Sequence, residues 1–569
     1  MGRPLLALLL LLSTGALQAQ APSGCRGSPC LQPAAAQAAA LFDSIEHLYP
    51  QLFFPAARTQ SQALDGSEAL FREYGGASGW GLATWQGGLW YRSAGQWTRF
   101  GALEDGDRQL CSSQCLLPAA ADGAFTGSVV LGAPTDSGVV LSLYASEQSG
   151  RLRVEYGRRG QPLSESSATV GLSAGQPVTL TLAGLAADTA YDYRVQFQPQ
   201  GMAQEVAGAV HRFHTARPAG SSFTFTVQAD SHMDENSVVR MYQRTLANVL
   251  AAQPDFHVDL GDTFMTEKHQ APLSLTSAPA SSAAAVEQRY VYERGNFAAI
   301  TADVPLFLAN GNHEGELGWL KTTAGNDIAN WAAQARQRYF VAPATGGFYS
   351  GENGGSARGA WYAWHWGAAL FVVLDPYWYS ARTKGADGWS MTLGPEQYRW
   401  LESTLASSTA AFKFVFLHSL VGGLDGQMRG GAEAARFFEW GGYDSDNTTR
   451  SFASKRPGWS APIHELFVRH GVSAVFHGHD HLYVKQELDG IVYQEVPQPS
   501  ALNTNNAANL ARDYHYDSGV ALSSAGHLRI TVTPNDVTAA YVRTWLPEQE
   551  NAQRRNGQID HQWVITRKP

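Results

Sequence analysis

The stretch FTFTVQADSH, residues 223–232, alternates apolar and polar side chains and ends on Asp230 and His232. The alternation predicts a β-strand, with the Asp-x-His pair at its carboxyl end beside solvent. Four later strand-like segments also end on polar residues: DFHVDLGD (255–262), PLFLANGNHE (305–314), FKFVFLHS (412–419) and SAVFHGHDH (473–481). Because ligands bind outside the carboxyl ends of strands in open α/β sheets, these segments predict one polar site at one sheet edge.

The order of these polar ends carries a family resemblance. D-x-H at 230–232, G-D at 261–262, G-N-H-E at 311–314, the single His418 and G-H-x-H at 478–481 together resemble the calcineurin-like metallophosphoesterase superfamily. After residue 222 strands and helices alternate, which favours an α/β (α+β) fold and agrees with the resemblance. The resemblance implies a catalytic domain at 222–569, built as a two-sheet β-sandwich flanked by helices. It also implies a metal-dependent hydrolase of small phosphorylated substrates.

The same resemblance implies a centre of two divalent ions (Mn, Zn or Fe) and names its ligands. The first ion would be held by Asp230, His232, Asp262 and His481. The second would be held by Asp262, Asn312, His418 and His479, with Asp262 bridging both. A hydroxide bridging the ions would attack phosphorus, because two cations lower the pKa of water and stabilise the equatorial oxygens.

Two neighbours of Asn312 have different expected roles. In the family the histidine at the position of His313 contacts the phosphate and the leaving group, so we expect a general acid or electrostatic stabiliser. The alternative is a histidine that only orients a ligand. Glu314 is expected to orient a ligand rather than to react.

One position departs from the purple acid phosphatases. These enzymes place a tyrosine three residues after the G-D aspartate, where its phenolate binds ferric iron and gives the colour. Here that position is Met265. We therefore expect a colourless centre without a tyrosine–Fe(III) charge-transfer band.

Substrate contacts are predicted on two segments. Arg429 follows the His418 strand and is predicted to clamp a phosphate oxygen, with a solvated arginine as the alternative. Tyr377, Trp378 and Tyr379 follow the apolar strand LFVVL and are predicted to stack on a base or aryl leaving group. Packing against a neighbouring loop is the alternative for these three.

The amino-terminal residues predict export. Residues 1–21 combine Arg3, the apolar run LLALLLLL and small residues, which is typical of a secretory signal and too short for a membrane span. We therefore expect a secreted or periplasmic protein. Its four cysteines, Cys25, Cys30, Cys111 and Cys115, would then form disulfides in one of three connectivities, and a zinc site is the rival interpretation.

Two further domains are predicted before the catalytic one. Residues 25–117 form a small, aromatic, glycine-rich module with a possible surface or polymer contact. Residues 123–217 contain short alternating runs, typical of a β-sandwich, and GLAADTAYDYRV resembles the fibronectin type III signature with Tyr191 as its corner tyrosine. In purple acid phosphatases such a sandwich precedes the catalytic domain.

Composition narrows the function. With 569 residues, 44% hydrophobic and 16% charged, the chain is globular, and its net charge of −9 argues against a protein that coats nucleic acid. The predicted function is hydrolysis of phosphate monoesters outside the cytoplasm. Two alternatives remain: a phosphodiesterase for nucleotide or aryl diesters using the same site, and a non-catalytic exported binding protein.

Overall fold

A computed structural model describes most of the chain from residue 123 onward and short segments before it. The described residues are 42, 60–64, 67–73, 81–85, 88–93, 96–102, 123–233, 237–265, 280–353, 357–381, 387–424, 428–501 and 505–567. The predicted signal segment 1–21 and all four cysteines lie outside them. Among the described residues, no helix combines the length and apolar character needed to cross a bilayer.

The chain divides into two compact units, and the first contains an antiparallel sheet of sequential strands. Its strands are β1 (Gln60–Leu64), β2 (Ser67–Glu73), β3 (Gly81–Trp85), β4 (Gly88–Ser93) and β5 (Gln96–Ala102). Each strand pairs with the next, as expected for short runs joined by tight turns.

The second unit begins with a β-sandwich. Its strands are β6 (Ser128–Gly132), β7 (Gly138–Tyr144), β8 (Gly150–Arg158), β9 (Glu165–Ser166), β10 (Val170–Leu172), β11 (Val178–Ala183), β12 (Ala190–Pro199) and β13 (Val206–His214). One sheet has the order β10-β8-β12-β13 with β9 beside β8, and the other the order β11-β7-β6. The Tyr191 hydroxyl accepts a hydrogen bond from the Ala186 amide at 2.9 Å, the back-bonding expected of a corner tyrosine. The fibronectin type III assignment itself stays a prediction.

The remaining strands form two larger sheets. They are β14 (Phe223–Gln228), β15 (Phe256–Asp259), β16 (Leu306–Leu308), β17 (Ser350–Gly351), β18 (Tyr362–Trp366), β19 (Ala369–Val373), β20 (Phe412–Phe416), β21 (Ala474–His477), β22 (Tyr483–Leu488), β23 (Ile491–Glu495), β24 (Val520–Leu522), β25 (Gly526–Val532), β26 (Asp536–Arg543) and β27 (Ile559–Thr566). The first sheet has the order β16-β15-β14-β25-β26-β27, and the second β17-β18-β19-β20-β21-β23-β22-β24. This is the mixed α/β architecture that the sequence predicts.

Parallel pairing gathers the polar strand ends at one edge of each of the two sheets. In the first sheet β14, β15 and β16 are parallel, and in the second β19, β20 and β21 are parallel. Parallel strands present their carboxyl ends on the same side of a sheet. The inner faces of both sheets are aromatic, with Phe225 on β14 contacting Phe371 on β19 at a centroid distance of 5.1 Å. Burying such side chains contributes roughly 1.5–3 kcal/mol each.

Helices cover the outer faces of these sheets. They are α1 (Val239–Ala251), α2 (Ala283–Thr301), α3 (Ile328–Tyr339), α4 (Pro395–Ser407), α5 (Phe438–Gly441), α6 (Phe452–Lys455), α7 (Ile463–Arg469) and α8 (Ala507–Asp513), with short 3₁₀ turns at Gly318–Leu320, Gly388–Ser390, Ala434–Arg436 and Pro547–Gln549. The sequence predicts helices at 237–252, 284–302, 327–339 and 395–406, and α1 to α4 lie within two residues of these bounds. The helix α3 has an N-terminal cap, because the Asp327 side chain accepts a hydrogen bond from the Asn330 amide.

A buried arginine joins the sandwich to the rest of the second unit by hydrogen bonds. Arg294 on α2 donates to the Ser128 hydroxyl at 2.7 Å and to the Ser142 carbonyl at 2.6 Å, and it also bonds the Tyr339 carbonyl. The Tyr193 hydroxyl donates to the Ala302 carbonyl at 2.5 Å. Because these donors and acceptors are buried, separating the two parts would leave them unsatisfied.

A histidine pair is buried within the first sheet. His257 and His527 are fully buried, and the His257 Nδ1 lies 2.8 Å from the Thr226 hydroxyl. Burial, reinforced by His527, lowers the pKa of His257 to about 3; burial, reinforced by Arg529, lowers the pKa of His527 to about 3. Both imidazoles are therefore neutral in the folded protein.

Acid should destabilise the protein through this pair. Below pH about 6.5 the unfolded chain takes up protons that the folded state refuses, so each histidine costs about 2 kcal/mol by pH 5. His527→Leu removes one such group. We expect the unfolding free energy of the variant, relative to wild type, to rise by about 2 kcal/mol between pH 7 and pH 5 in urea titrations.

The exposed His515 provides the control for this comparison. His515→Leu should leave the pH dependence parallel to that of wild type. A His527→Leu variant that also parallels wild type would contradict the prediction.

Candidate metal centre

Backbone hydrogen bonds join the loops that follow neighbouring strands in each sheet. The Asp230 amide donates to the Gly261 carbonyl at 2.9 Å, and the His232 amide donates to the Asp262 carbonyl at 2.9 Å. The Gly478 amide donates to the His418 carbonyl at 2.8 Å. These bonds join the loops after β14 and β15, and those after β20 and β21. Backbone hydrogen bonds of the fold thus position the loops that carry the predicted ligands.

Three predicted ligands of the first ion form one group. Asp230, His232 and His481 each offer an atom within 4.8 Å of the others. The Asp230 Oδ1 atom lies 3.6 Å from the His232 Nε2 and 3.5 Å from the His481 Nε2. The His481 side chain is 38% exposed while Asp230 is fully buried, so the group opens to solvent on one side.

A second group contains three predicted ligands of the other ion. Asp262, His418 and His479 offer atoms within 4.8 Å of one another. The His418 Nε2 lies 3.0 Å from the Asp262 Oδ2 and 3.2 Å from the His479 Nδ1. The His418 Nδ1 lies 3.0 Å from the Leu260 carbonyl, which can only accept, so this nitrogen carries the proton and Nε2 faces the site.

Asp262 lies close to both groups of predicted ligands. Its Oδ2 atom, which contacts His418 in the second group, also lies 3.6 Å from the His232 Nε2 of the first. It lies 3.8 Å from the His313 Nε2 as well, and His232, Asp262 and His313 form a third group of potential ligands. The position is that of a carboxylate between two cation sites, with His313 at its side.

Asn312 lies on a loop that touches Asp262 from both sides. The His313 amide donates to the Asp262 Oδ1 at 2.9 Å, and a Cβ on Gly311 would lie 2.2 Å from the same atom. The Asn312 Oδ1 atom is buried and accepts no hydrogen bond from any residue that the structure describes. A buried carbonyl oxygen without a donor costs free energy, and a cation would satisfy it.

Five of the seven predicted ligands have left-handed backbone. Their φ angles are +61° for Asp230, +40° for His232, +55° for Asp262, +85° for His479 and +62° for His481. Such conformations cost non-glycine residues about 1–3 kcal/mol each and persist where surrounding structure over-determines them. Strain concentrated on these residues is typical of a functional site.

Glu314 holds the Asp262 loop. Its Oε2 accepts from the Asp262 amide at 3.0 Å and from the Gly311 amide at 2.6 Å, and its Oε1 accepts from the Thr263 amide at 2.7 Å. Burial, followed by the charge of Asp262, raises the pKa of Glu314. These contacts are those of a residue that orients a ligand.

The electrostatics favour cation binding. Burial opposes ionisation of Asp262, but His418 and His313 outweigh it and hold the pKa of Asp262 well below its usual range. Burial lowers the pKa of His418, but Asp262 and Asp230 outweigh it and raise that pKa to about 9. With its pKa raised, His418 also carries a proton on Nε2, the nitrogen that faces the site. A cation that binds Nε2 must displace that proton, so the affinity for the cation rises with pH.

The donor set fits two divalent ions. Imidazole nitrogens suit transition metals, and carboxylate and amide oxygens complete their coordination. The orphaned Asn312 oxygen and the Asp230 Oδ1, which accepts no hydrogen bond from the described residues, are the atoms that a cation would engage. Met265, buried beside the Asp262 loop, offers no phenolate.

The structure corrects the substrate role predicted for Tyr377. This residue is fully buried, its hydroxyl lies 2.8 Å from the Ser419 hydroxyl, and its ring packs 6.3 Å from the His418 ring. It therefore packs against the predicted ligand His418, and its buried ring offers no surface on which a substrate could stack. The strand ends at Val373, and the loop after it stays buried as far as Tyr377.

Trp378 and Tyr379 are half-buried and contact other side chains. The Arg358 guanidinium lies 4.0 Å and the Lys321 ammonium 4.4 Å from the Trp378 ring centre. Tyr379 packs against Gly394, where an added Cβ would lie 2.7 Å from its ring. The stacking role of these two residues stays a prediction.

Arg429 lies close to the predicted ligand His479. Its Nη1 is 3.1 Å from the Asp480 Oδ1, its guanidinium is 4.1 Å from the Tyr514 ring centre, and its side chain is 26% exposed. Its positive charge is close enough to contribute to lowering the pKa of His479, after the larger effects of burial and His418. The arginine is thus held in place rather than solvated.

Sequence reasoning missed the residues behind His479 and His481. Asp480, Glu495 and Tyr516 form a buried hydrogen-bonded cluster there. Asp480 lies inside the G-H-x-H motif, and it is the member of this cluster that the motif could have indicated. The other two lie on a later strand and loop whose local sequence shows no sign of a partner at the site.

Comparison with known families agrees with this geometry. Residues 223–483 match the family model described as calcineurin-like phosphoesterase. These residues form a calcineurin-like phosphoesterase domain. The match gives this region the character of a metal-dependent phosphoesterase domain, as the order of its motifs predicts. No curated protein matches the sequence significantly.

Two solved structures share the fold. The structure of PhoD is similar with a TM-score of 0.55 and 17% identity, covering 77% of this chain and 90% of PhoD. The purple acid phosphatase PPD1 from seeds of yellow lupin (Lupinus luteus) is similar with a TM-score of 0.50 and 13% identity, covering 88% of this chain and 79% of that one. At these identities the likeness concerns the fold.

Proposed function

We propose that this phosphoesterase hydrolyses phosphate monoesters outside the cytoplasm with two divalent ions. The observation that carries the proposal is the position of the Asp262 Oδ2, 3.0 Å from the His418 Nε2 and 3.6 Å from the His232 Nε2. One carboxylate oxygen therefore reaches the ligand sets of two cations. Asp230, His232, Asp262 and His481 would hold one ion, and Asp262, Asn312, His418 and His479 the other.

Bound ions would supply a Lewis-acidic centre that lowers the pKa of water and offsets charge on the phosphate. The protein residues orient that centre. Glu314 fixes the backbone of Asp262, and the Leu260 carbonyl fixes the tautomer of His418. Positioning of this kind is worth several orders of magnitude in rate because the groups need not reorganise during the reaction.

His313 is the proposed general acid. It lies at the side of Asp262, is not among the ligands assigned to either ion, and its side chain is 12% exposed. A histidine there can contact both the centre and a substrate entering from solvent. As the bond between phosphorus and the ester oxygen breaks, the imidazolium gives its proton to that oxygen.

Charge supports a monoester over a diester. Two divalent ions bring four positive charges, and Asp230 with Asp262 return only two negative ones. Arg429, paired with Asp480 next to His479, has further guanidinium N–H groups that can donate to a phosphate oxygen. A phosphate monoester carries one more negative charge than a diester and gains more from this surplus.

Export is supported by the signal-like residues 1–21 and by four cysteines in the amino-terminal part of the chain. The predicted cleavage follows Ala19 or Ala21, and Pro22 disfavours the second site. Amino-terminal sequencing of protein recovered from the periplasm or medium tests this proposal.

Purified protein should be stripped with EDTA, reloaded with Mn²⁺, Zn²⁺ or Fe²⁺, and assayed on p-nitrophenyl phosphate and bis(p-nitrophenyl) phosphate. We expect loss of activity on stripping, recovery on reloading, and a higher kcat/KM for the monoester. A higher value for the diester would favour the phosphodiesterase alternative. A fully loaded protein inactive on both would favour a non-catalytic binding protein.

A further inference from the structure

The turn that carries two histidine ligands is held from outside the metal site. This ligand turn, residues 479–481, contains the buried Asp480 at its centre. The Asp480 Oδ1 accepts from the Arg429 guanidinium at 3.1 Å. The Asp480 Oδ2 accepts from the Gly430 amide at 2.8 Å and from the Tyr516 hydroxyl at 2.8 Å. These contacts orient Asp480 within the fold and make it an anchor for the turn.

Glu495 on β23 provides a second anchor. Its Oε1 accepts from the Asp480 amide at 3.0 Å, and its Oε2 lies 3.4 Å from the Tyr516 hydroxyl. The same Oε2 lies 2.6 Å from the Nδ1 of His477, the last residue of β21. One phenol hydroxyl thus joins the side chain of Asp480 to the carboxyl group that holds its backbone.

The ligand turn needs such anchors because its backbone is strained. His479 and His481 have φ angles of +85° and +62°, a left-handed conformation that non-glycine residues keep only where surrounding contacts enforce it. Gly478 before the turn is packed tightly, since an added Cβ would lie 2.5 Å from the Asp230 Oδ2. Loss of an anchor would let the turn relax away from the geometry that places both imidazoles.

Tyr516 belongs to a segment outside residues 223–483, which match the family model. It follows α8, and residues 514–518 are pinned to the loop that carries Arg429. Glu433 of that loop accepts from the Ser518 hydroxyl at 2.8 Å and from the Asp517 amide at 3.1 Å. The Tyr514 ring lies 4.1 Å from the Arg429 guanidinium. The segment therefore supports both the ligand turn and the arginine.

We propose that Tyr516 is a positioning residue for the metal centre. Its hydroxyl locks Asp480 so that His479 and His481 are aimed at one ion each. The inference deepens the proposed function and rests on its metal ligands. Hydrogen-bonding partners that orient metal ligands change metal affinity by about 10- to 100-fold when removed.

The test is Tyr516→Phe, which deletes one hydroxyl and keeps the ring. We expect the variant to bind Mn²⁺ at least about tenfold more weakly in calorimetric titration of the stripped protein. It should also lose Mn²⁺ faster than wild type during dialysis against a chelator. Its kcat/KM for p-nitrophenyl phosphate at limiting Mn²⁺ should fall and recover at saturating Mn²⁺.

Tyr398→Phe is the matched control. Tyr398 is also buried, and its hydroxyl donates to the Ala461 carbonyl at 2.7 Å and accepts from the Ala461 amide at 3.1 Å. This control should lower the unfolding temperature without changing Mn²⁺ affinity. The proposal is overturned if Tyr516→Phe binds Mn²⁺ as wild type does, or if Tyr398→Phe weakens binding equally. Wild type that binds Mn²⁺ but cleaves no ester would refute the proposed function alone, because the comparison of affinities would still decide the role of Tyr516.

Discussion

Asp262→Asn should lower kcat/KM for p-nitrophenyl phosphate by about 10³-fold, equivalent to about 4 kcal/mol of transition-state stabilisation. The substitution preserves shape and removes the negative charge from the side chain that we propose is shared by two cation sites. The Asn oxygen can still accept from the His313 amide, which lies 2.9 Å from the Asp262 Oδ1, so the loop should keep its fold. Metal analysis of the purified variant should show fewer than two ions per chain.

Asp192→Asn is the control for this loss. Asp192 lies on the sandwich strand β12 and pairs with Arg159 at 3.2 Å. The control should keep wild-type activity and metal content. A folded Asp262→Asn protein that retains two ions and near-normal kcat/KM would contradict the assignment of Asp262 as the bridging ligand.

Glu316→Gln should destabilise the protein by about 3–5 kcal/mol. Glu316 is fully buried between two arginines, with its Oε1 2.7 Å from the Arg336 Nε and its Oε2 3.0 Å from the Arg358 Nη1. Burial opposes its ionisation, but Arg336 and Arg358 outweigh burial and hold the pKa of Glu316 below its usual value. Removing its charge takes from Arg336 its carboxylate partner, whereas Arg358 still pairs with Asp375 at 2.9 Å. Urea titration at neutral pH measures the effect.

This variant should also disturb the metal centre. The Glu316 Oε2 accepts from the Asn310 side chain at 3.1 Å, two residues before the predicted ligand Asn312. The exposed Glu396 on α4 provides the control, because Glu396→Gln should change the unfolding free energy by less than about 0.5 kcal/mol. A Glu316→Gln protein as stable as this control would show that the buried arginines do not depend on Glu316.

Local pattern predicts the polar strand ends because each follows a strand that its own sequence specifies, and the family resemblance then names the metal ligands among them. Apolar runs such as residues 223–228 pair in parallel, and their carboxyl ends must then share an edge. Asp230 and His418 are 188 residues apart and follow strands of different sheets, so the packing of the two sheets, not strand pairing, brings them together.

Side-chain environment is harder to predict because it depends on packing between distant segments. Tyr377 follows an apolar strand in a way that suggests a rim position, and only the packing against His418 and Ser419 reveals that it is buried. The same limit applies to Arg429, whose attachment to Asp480 and Tyr514 depends on three separate loops.

The sequence by itself determined the strands, their polar ends and the superfamily, because these depend on local periodicity and on a motif order readable along the chain. The tertiary structure alone decided which oxygen of Asp262 lies between the two groups of ligands, that Tyr377 is buried, and that Tyr516 bonds Asp480 from 36 residues away. Contacts of this kind form only when packed sheets bring loops together, and the local sequence of neither partner specifies the other.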